Sequence, residues 1–343
     1  MGSNSLNHRL DVLDYLRGFA MIGILFVNVI LLLDIGMPEA DTPGEMYQKF
    51  LYLFVEARFF SIFSFLFGVG FYLFISRANA KGNNGYLLFL IRVGLLFLFG
   101  LAHVFFNSGE ALMPYAVFGA LLLPLYKARR EFKLAAGLLI TAVCAITGQK
   151  LLLVPGFMLL GMAAGEYRVF EDIGRKRKGW AVFTLIMLLL GAAGLYYQYS
   201  LAPGQPFSYM VVEGVDDPMV IKASQFIQAG LLVTPVVTGV YIGAFVMLMG
   251  SPVFRRLLSP LRDYGRMALT NYIGQTFLVL LAGQLFGYSG SIGLMESLWL
   301  VLVIHGLQVT ASVVWLRLFA MGPLEWLWRA GTYRKLPQLR KQR

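Results

Sequence analysis

Charged residues and cysteine are both scarce in this sequence. Asp, Glu, Lys and Arg together supply 14% of the 343 residues, whereas they supply about 25% of an ordinary soluble domain. The single cysteine, Cys144, lies inside an apolar run, so the chain can form neither an internal disulfide framework nor a thiolate metal site. With 58% hydrophobic residues and a mean hydropathy of +0.69, the composition indicates a polytopic membrane protein.

Several motifs of soluble enzymes are also missing. The sequence has no phosphate-binding loop of Walker type, no nucleophile elbow and no HExxH zinc motif. The net charge of +11 would suit nucleic acid, but the basic residues form short clusters between apolar runs and not one solvated surface. We therefore expect neither a nucleic-acid partner nor a metal, and we attribute the charge to topology and to contact with anionic membrane lipids.

Ten apolar runs approach the roughly 20 residues that a membrane-spanning helix needs. They cover residues 18–35, 54–76, 86–106, 111–126, 134–147, 151–165, 180–198, 226–250, 268–287 and 294–319. We therefore predict an all-α fold, a polytopic transmembrane helix bundle with about ten spans. The fifth and sixth runs are short and are joined by only three residues, so they form either a hairpin of two spans or one broken re-entrant element.

The basic residues alternate between connections and thereby predict an orientation. One set of connections, together with both termini, carries 24 of the 29 lysines and arginines, whereas the opposite set carries only Lys49, Lys150 and Lys222. Because lysine and arginine stay on the cytoplasmic side of a membrane, both termini are predicted to be cytoplasmic. An error of one span would have scrambled this alternation, so it supports the count of ten.

Polar side chains inside the predicted spans are candidate functional residues, because ionisable groups are costly in a bilayer. The first span begins at Arg17 and contains an isolated Asn28. Arg17 either pairs with Asp14, three residues earlier, and fixes the topology, or recognises an anion. The second span begins with Glu56 and Arg58 on the predicted outer side. These two residues are either interfacial anchors or a polar wall of an outward-facing cavity.

The third span carries Arg92 and His103, which are eleven residues apart. Three helical turns place them on one face, about 16 Å apart along the axis, with Arg92 towards the cytoplasm and His103 towards the outside. Glu110 follows after a short turn, where its carboxylate can orient the imidazole and raise its basicity. His103 is therefore either a satisfied interior histidine or a general base.

The ninth and tenth spans each carry a polar stripe. Asn271 and Gln275 lie one turn apart, with Arg266 just before them near the predicted cytoplasmic surface. His305 and Gln308 share a face of the tenth span. Amides in a membrane often bond neighbouring helices, but an arginine with amide donors is also what a phosphate-bearing ligand requires.

Five segments occur in order along the chain: RLDVLDYLRGFAMIGILFVNV, ARFFSIFSFLFGVGFYLF, RVGLLFLFGLAHVFFNSGEALMPYAVFGALLL, GRMALTNYIGQT and GPLEWLWR. Together they resemble the YeiB-like bacterial membrane proteins, whose C-terminal half is called domain of unknown function 418. The resemblance implies a multi-pass protein of the bacterial plasma membrane, with an N-terminal half over residues 1–170 and a C-terminal half over residues 171–343 that ends in an interfacial tail. Family members often have aspartate where this chain has Glu110.

The N-terminal half of that family is similar to lysosomal heparan-alpha-glucosaminide N-acetyltransferase and, more distantly, to bacterial membrane acyltransferases. The similarity implies transfer of an acyl group from cytoplasmic acyl-coenzyme A to an outward-facing sugar or lipid acceptor. We assign catalysis to His103 and Glu110, donor binding to Arg17, Arg92, Arg266 and Asn271, and acceptor binding to Asn28, Glu56, Arg58, His305 and Gln308.

Two other functions fit the same residues. A transporter or flippase of a small organic or lipid-linked anion would use the cations as a pathway. A non-catalytic membrane scaffold would use the polar residues only to hold its helices together. A polar tunnel from face to face serves transfer and transport equally, so the residues alone leave these alternatives open.

The predicted topology can be measured directly. We expect a reporter fused after Arg343 to stay cytoplasmic and a tag inserted near Gly204 to be reached from outside, because the basic residues lie so unevenly on the two sides. Protease accessibility in spheroplasts distinguishes the two sides. If both positions report the same side, the span count is wrong and His103 loses its predicted outward placement.

Overall fold

The computed structural model describes residues 10–208 and 217–341. Its fourteen α-helices, in chain order within the described ranges, are α1 (Asp11–Leu32), α2 (Pro43–Phe50), α3 (Arg58–Ala80), α4 (Gly85–His103), α5 (Leu112–Leu121), α6 (Arg130–Ile146), α7 (Leu153–Glu166), α8 (Arg177–Ser200), α9 (Pro218–Met249), α10 (Pro252–Leu257), α11 (Ser259–Arg266), α12 (Ala268–Phe286), α13 (Leu294–Leu318) and α14 (Pro323–Tyr333). A π-helical turn, Leu51–Val55, follows α2, and a 3-10 turn, Leu123–Lys127, follows α5. The prediction of an all-α fold is confirmed for the described residues.

Six stretches among the described residues are long and apolar enough to cross a membrane: α1, the Pro43–Ala80 segment that contains α2 and α3, α4, α8, α9 and α13. Two shorter apolar helices, α5 and α7, have 10 and 14 residues. The chain is therefore an integral membrane protein. The remaining predicted spans coincide with α6 and α12, of 17 and 19 residues; the count of about ten spans, and the cytoplasmic placement of both termini, stay predictions.

The fifth and sixth predicted spans form two separate helices, α6 and α7, that pack against each other. A Cβ atom at Gly156 would lie 2.4 Å from the Thr141 hydroxyl oxygen, and one at Gly137 would lie 2.9 Å from the backbone nitrogen of Leu160. Small residues of this kind let membrane helices approach closely. The segment thus consists of two closely packed helices, and whether both cross the membrane stays a prediction.

The helix of the second predicted span starts later than expected, at Arg58. Ala57 has a φ of 62°, in the left-handed region, and Glu56 is extended at its ψ of 130°. A non-glycine residue seldom adopts that conformation, and no glycine or proline in the sequence marks the break. The break ends the α2 segment at this point and separates it from α3.

The crossing of α1 and α11 depends on two glycines whose backbones touch. A Cβ atom at Gly265 would lie 1.9 Å from the carbonyl oxygen of Asp14 and 2.5 Å from the backbone nitrogen of Gly18. A Cβ atom at Gly18 would lie 2.1 Å from the carbonyl oxygen of Leu261. No larger side chain fits at either position unless a backbone moves. Gly18, which directly follows Arg17, therefore has a packing role.

The main apolar core joins the N-terminal helices α1, α3, α4, α5 and α7 to the C-terminal helices α9, α11 and α12. Leu16 of α1, Ile62 of α3 and Val246 of α9 are fully buried in it. Helix α8 lies at the edge of the bundle, where it packs along α9 and buries only Gly191 and Gln198. The two predicted halves, residues 1–170 and 171–343, thus share one apolar core, and their boundary stays a prediction.

The C-terminal helix α14 is held at the start of α12 by Glu325. The Glu325 carboxylate accepts hydrogen bonds from the backbone N–H groups of Leu269 (2.7 Å) and Thr270 (3.1 Å) and from the Thr270 hydroxyl (2.6 Å). These are the N–H groups that a helix start leaves without partners. Burial raises the pKa of Glu325 above its ordinary value, and the hydrogen bonds oppose that shift. The predicted interfacial tail therefore begins with a helix docked on the bundle.

We expect Gly265→Ala to lower the stability of the protein by about 1–3 kcal/mol or more, because the added methyl group overpacks a backbone contact between α1 and α11. The matched control is Gly306→Ala on α13, where a Cβ atom meets nothing within 4 Å. Thermal unfolding of the detergent-purified protein measures both. Equal midpoints for the two variants would contradict the close crossing.

Candidate functional site

The candidate catalytic pair meets where α4 ends. His103 is the last residue of α4, and its carbonyl oxygen accepts from the backbone N–H groups of Phe106 (2.9 Å) and Asn107 (3.1 Å), which turns the chain back. The turn brings the Glu110 carboxylate against Nδ1 of the His103 imidazole. The other carboxylate oxygen accepts from the backbone N–H of Leu112. Both side chains are almost entirely buried, at 1% and 2% exposure.

Helix α12 completes this site from the other half of the chain. The Thr276 hydroxyl oxygen lies 2.9 Å from His103 Nε2 and also accepts a longer bond of 3.5 Å from the Asn107 amide. The Tyr272 ring meets the imidazole edge-on at 5.2 Å between centroids, and its hydroxyl accepts from the backbone N–H of Ala111 (3.2 Å). Each imidazole nitrogen therefore has one oxygen partner.

The oxygen partners constrain the imidazole tautomer. A carboxylate only accepts hydrogen bonds, so a neutral histidine beside one carries its proton on the nitrogen that faces it, here Nδ1. The Nε2 lone pair then accepts from the Thr276 hydroxyl. A carboxylate, an imidazole and a hydroxyl in this order form the arrangement in which a histidine takes a proton from the hydroxyl side while the carboxylate stabilises the resulting charge.

Asn28 lies next to the turn that carries Glu110. Its side chain faces Gly109 in the turn between α4 and α5, 3.9 Å from where a Cβ atom would stand. The Asn28 residue is half-buried. Among the five predicted acceptor residues, it is the one placed beside His103.

Arg92 lies deeper on α4 and is covered by aromatic rings. Its guanidinium stands 3.6 Å from the Trp328 ring centroid and 5.0 Å from that of Phe74, and the Trp328 indole donates to its carbonyl oxygen (2.7 Å). Arg17 and Arg329 are close enough to interact electrostatically with Arg92. The Glu325 carboxylate also interacts electrostatically with Arg92, although in the described ranges no carboxylate forms an ion pair with it. Three cations and one carboxylate are therefore near one another at the predicted cytoplasmic end.

Arg17 forms the structural pair that was one of the two alternatives left open by the sequence, and anion recognition stays a prediction. Its guanidinium pairs with the Asp14 carboxylate at 2.6 Å, at the expected spacing of three residues. The Arg17 side chain nevertheless remains 30% exposed, whereas that of Asp14 is buried. The structural pair is present, and the cation still faces the neighbourhood of Arg92.

Arg266 and Asn271, the other predicted donor residues, bond within the fold. Arg266 donates to the Ala320 carbonyl oxygen (3.1 Å) and lies 3.5 Å from the Asp263 carboxylate. Asn271 is buried and donates to the Ser312 hydroxyl (2.9 Å). These contacts join α11, α12 and α13 to one another.

His305 and Gln308 belong to a buried hydrogen-bond network around Tyr264, which the sequence did not reveal. The Tyr264 hydroxyl lies 3.3 Å from His305 Nδ1, donates to Gln308 (3.2 Å) and accepts from Gln275 (2.6 Å). His305 Nε2 donates to the Ile22 carbonyl oxygen (3.1 Å). The network links α1, α11, α12 and α13 and lies apart from His103, although Gln275 directly precedes Thr276.

Arg58 and Glu56 belong neither to the His103 site nor to the Tyr264 network and lie at a third position in the fold. Arg58 is buried, and its guanidinium donates to Gln198 (2.8 Å), to the Glu56 carbonyl oxygen (2.7 Å) and to Thr234 (3.2 Å). The Glu56 carboxylate pairs with Lys150 on the surface at 2.5 Å. The buried cation is thus held by neutral acceptors from α8 and α9, which fixes those helices against the start of α3.

The predicted acceptor residues therefore lie at three separate places, and only Asn28 adjoins His103. The sequence did not reveal Thr276 as a residue of the site. Its contact with His103 depends on how α12 is rotated about its axis relative to α4. Thr276 is one position after Gln275, which turns it by about 100° around the helix axis. Among residues 10–208 and 217–341, no group of three or more His, Cys, Asp or Glu side chains has metal-binding geometry.

Comparison with known proteins places the chain among relatives of matching length. Residues 164–335 match the family described as "Protein of unknown function (DUF418)". The chain is 46% identical over 339 residues to the "uncharacterized 39.9 kDa protein in amylase 3'region" of Bacillus acidopullulyticus, with 98% of each chain covered. It is 28% identical to YxaH of Bacillus subtilis (95% of each chain) and 26% identical to YeiB of Escherichia coli (94% of this chain, 96% of that protein). No solved structure gives a significant match.

Proposed function

The chain belongs to the DUF418 family of membrane proteins, and we propose that it is an acyltransferase that passes an acyl group from acyl-coenzyme A to a sugar or lipid acceptor on the outer side. One observation carries this proposal: a buried carboxylate and a hydroxyl hold opposite nitrogens of the His103 imidazole. The buried histidine His305 also has a partner on each ring nitrogen, but those partners are a tyrosine hydroxyl and a backbone carbonyl oxygen. His103 differs in having a carboxylate, which stabilises the imidazolium that a general base forms.

In the proposed reaction His103 is the general base. Its Nε2 takes the proton from the acceptor hydroxyl or amine, whose oxygen or nitrogen attacks the thioester carbonyl carbon. The carbon–sulfur bond breaks, and the leaving thiolate receives the proton that His103 returns. Glu110 keeps Nδ1 protonated and stabilises the imidazolium that forms. The Thr276 oxygen, 2.9 Å from Nε2, occupies the position that the acceptor atom takes when it displaces this bond.

The donor is proposed to enter from the cytoplasmic side. Arg92 and Arg17 would hold its phosphates, and the long arm of coenzyme A would follow α4 over the roughly 16 Å between Arg92 and His103. Arg329 adds a third positive charge. Because Arg266 and Asn271 use their polar atoms within the fold, we assign them to supporting the inner ends of α11 to α13.

The transporter alternative gains no separate support. In the described part of the chain, the polar side chains of α11 to α13 bond one another around Tyr264. Arg58 bonds acceptors from α8 and α9. Both groups use their polar atoms to hold helices together.

Donor binding is tested by thermal unfolding of the purified protein with acyl-coenzyme A analogues of several acyl lengths. At about 100 times its dissociation constant, a ligand of the folded state stabilises by roughly 2.7 kcal/mol. We expect Arg92→Gln to weaken this effect, because it removes a cation from the proposed phosphate site. Arg256→Gln, an exposed arginine on α10, is the matched control. Absence of stabilisation at every acyl length would contradict the donor assignment.

The role of His103 is tested by activity per folded molecule. His103→Gln keeps size and hydrogen-bonding capacity but removes the base, so we expect turnover to fall by roughly 10² to 10⁴. Glu110→Gln should lose less, because it orients the imidazole and does not take the proton. Thr276→Val, which removes the partner of Nε2 and leaves the base in place, should lose least. Unchanged turnover in folded His103→Gln would end the catalytic assignment.

A further inference from the structure

A large apolar cavity lies between α6, α7, α8 and α9, and neither His103 nor Glu110 is among the residues that line it. Its volume is about 860 Å³. Helix α8 packs along α9, and the cavity separates it from α6. The residues that line this apolar cleft are almost all hydrophobic, and the hydroxyls of Thr141 and Thr238 are the polar groups in its middle.

The cleft has the length of one membrane leaflet. On α6 it is lined from Leu134 to Ile146, thirteen residues whose twelve steps rise about 18 Å along the helix. Half of a hydrocarbon core roughly 30 Å thick is about 15 Å. A single acyl chain extended along the helices therefore fits the cleft from end to end.

The two ends of the apolar cleft differ in chemistry. Lys176, Tyr167 and Trp180 lie at the end that the sequence predicts to be cytoplasmic, whereas Ile146 and Leu232 line the other end. The Lys176 ammonium is held at the mouth by its bond to the Arg168 carbonyl oxygen (2.5 Å). Lysine and arginine fill every position of residues 175–178. The acids nearby are Glu131, Glu166, Glu171 and Asp172. Glu131 pairs with Arg130 and accepts from the Tyr167 hydroxyl, Glu166 pairs with Lys133, and Glu171 pairs with Arg168.

A ligand complementary to this cleft has one long apolar chain and one anionic head group. Basic pockets between membrane helices on the cytoplasmic side bind anionic lipid head groups, and tryptophan beside basic residues is typical of the interface. We propose that the apolar cleft binds one acyl chain of an anionic phospholipid, with the phosphate of the lipid at Lys176. This site is independent of the proposed acyl transfer, since none of its residues touches His103 or Glu110.

The proposal fits the loose packing of α8. Only two of its 24 residues are buried, so the protein alone leaves the side of α8 that faces α6 without a partner. An acyl chain in the cleft fills the space that neither helix fills. The bound lipid would then be part of how α8 is fixed against α6.

The first test is native mass spectrometry of the full chain purified in a mild detergent. We expect one phospholipid to remain bound per molecule, enriched in anionic species relative to the membrane extract. Ala142→Trp fills the cleft and should abolish this retention, whereas Ala192→Trp makes the same change on the exposed face of α8 outside the cleft. Lys176→Glu should lower the preference for anionic lipid about fivefold or more, and Lys178→Glu, outside the cleft, should not.

A second test needs no variant in the cleft wall. Phospholipids with brominated acyl chains quench nearby tryptophan, and the Trp180 signal is the difference between the native chain and Trp180→Phe. We expect brominated anionic phospholipid to quench Trp180 at lower mole fraction than brominated zwitterionic phospholipid. Equal quenching by both lipids, or lipid retained in bulk proportions and unaffected by Ala142→Trp, would overturn the proposal and leave the acyltransfer assignment untouched.

Discussion

A polar group taken from water into an apolar environment costs roughly 2–7 kcal/mol unless it finds a partner, and the interior of this bundle is organised by that cost. The Arg58 cation is buried, and three neutral oxygens from three parts of the chain surround it. Tyr264 gathers side chains from α12 and α13 in the same way. These contacts determine which helices pack together. Burial of apolar side chains alone would not determine this, because lipid is as apolar as those side chains.

The close crossing of α1 and α11 positions part of this polar interior. Gly18 and Gly265 let the two backbones touch, and α11 then places the Tyr264 hydroxyl against α12 and α13. Helix α12 presents Gln275 to that network and Thr276 to His103. Helix α12 thus contributes to two hydrogen-bonded groups, one on each of two adjacent faces. A displacement of α11 would therefore be transmitted to His103 through α12.

The structure separates three chemical environments that the charge pattern alone mixes together. Arginines collect at the predicted cytoplasmic end of α4, a carboxylate and an imidazole meet at its opposite end, and an apolar cleft runs beside α6 with neither group in its lining. The first two fit a donor and an acceptor approached from opposite sides. The third fits an acyl chain of a membrane lipid. Assigning them separately explains why buried polar residues such as Arg58 and His305, each costly in a membrane, need not all belong to one site.

The sequence by itself determined the features that depend on local composition. Apolar runs place nearly all the long helices, since burial in lipid requires about 20 such residues, and the spacing of Arg92, His103 and Glu110 along one helix and its turn predicts the pair at the outer end. Contacts between distant residues were decided only by tertiary structure. Thr276 reaches His103 across 173 positions, and Gln198 reaches Arg58 across 140. The rotation of each helix about its axis selects such partners, and in a membrane that rotation follows from packing and polar pairing among all the helices, which no local pattern records.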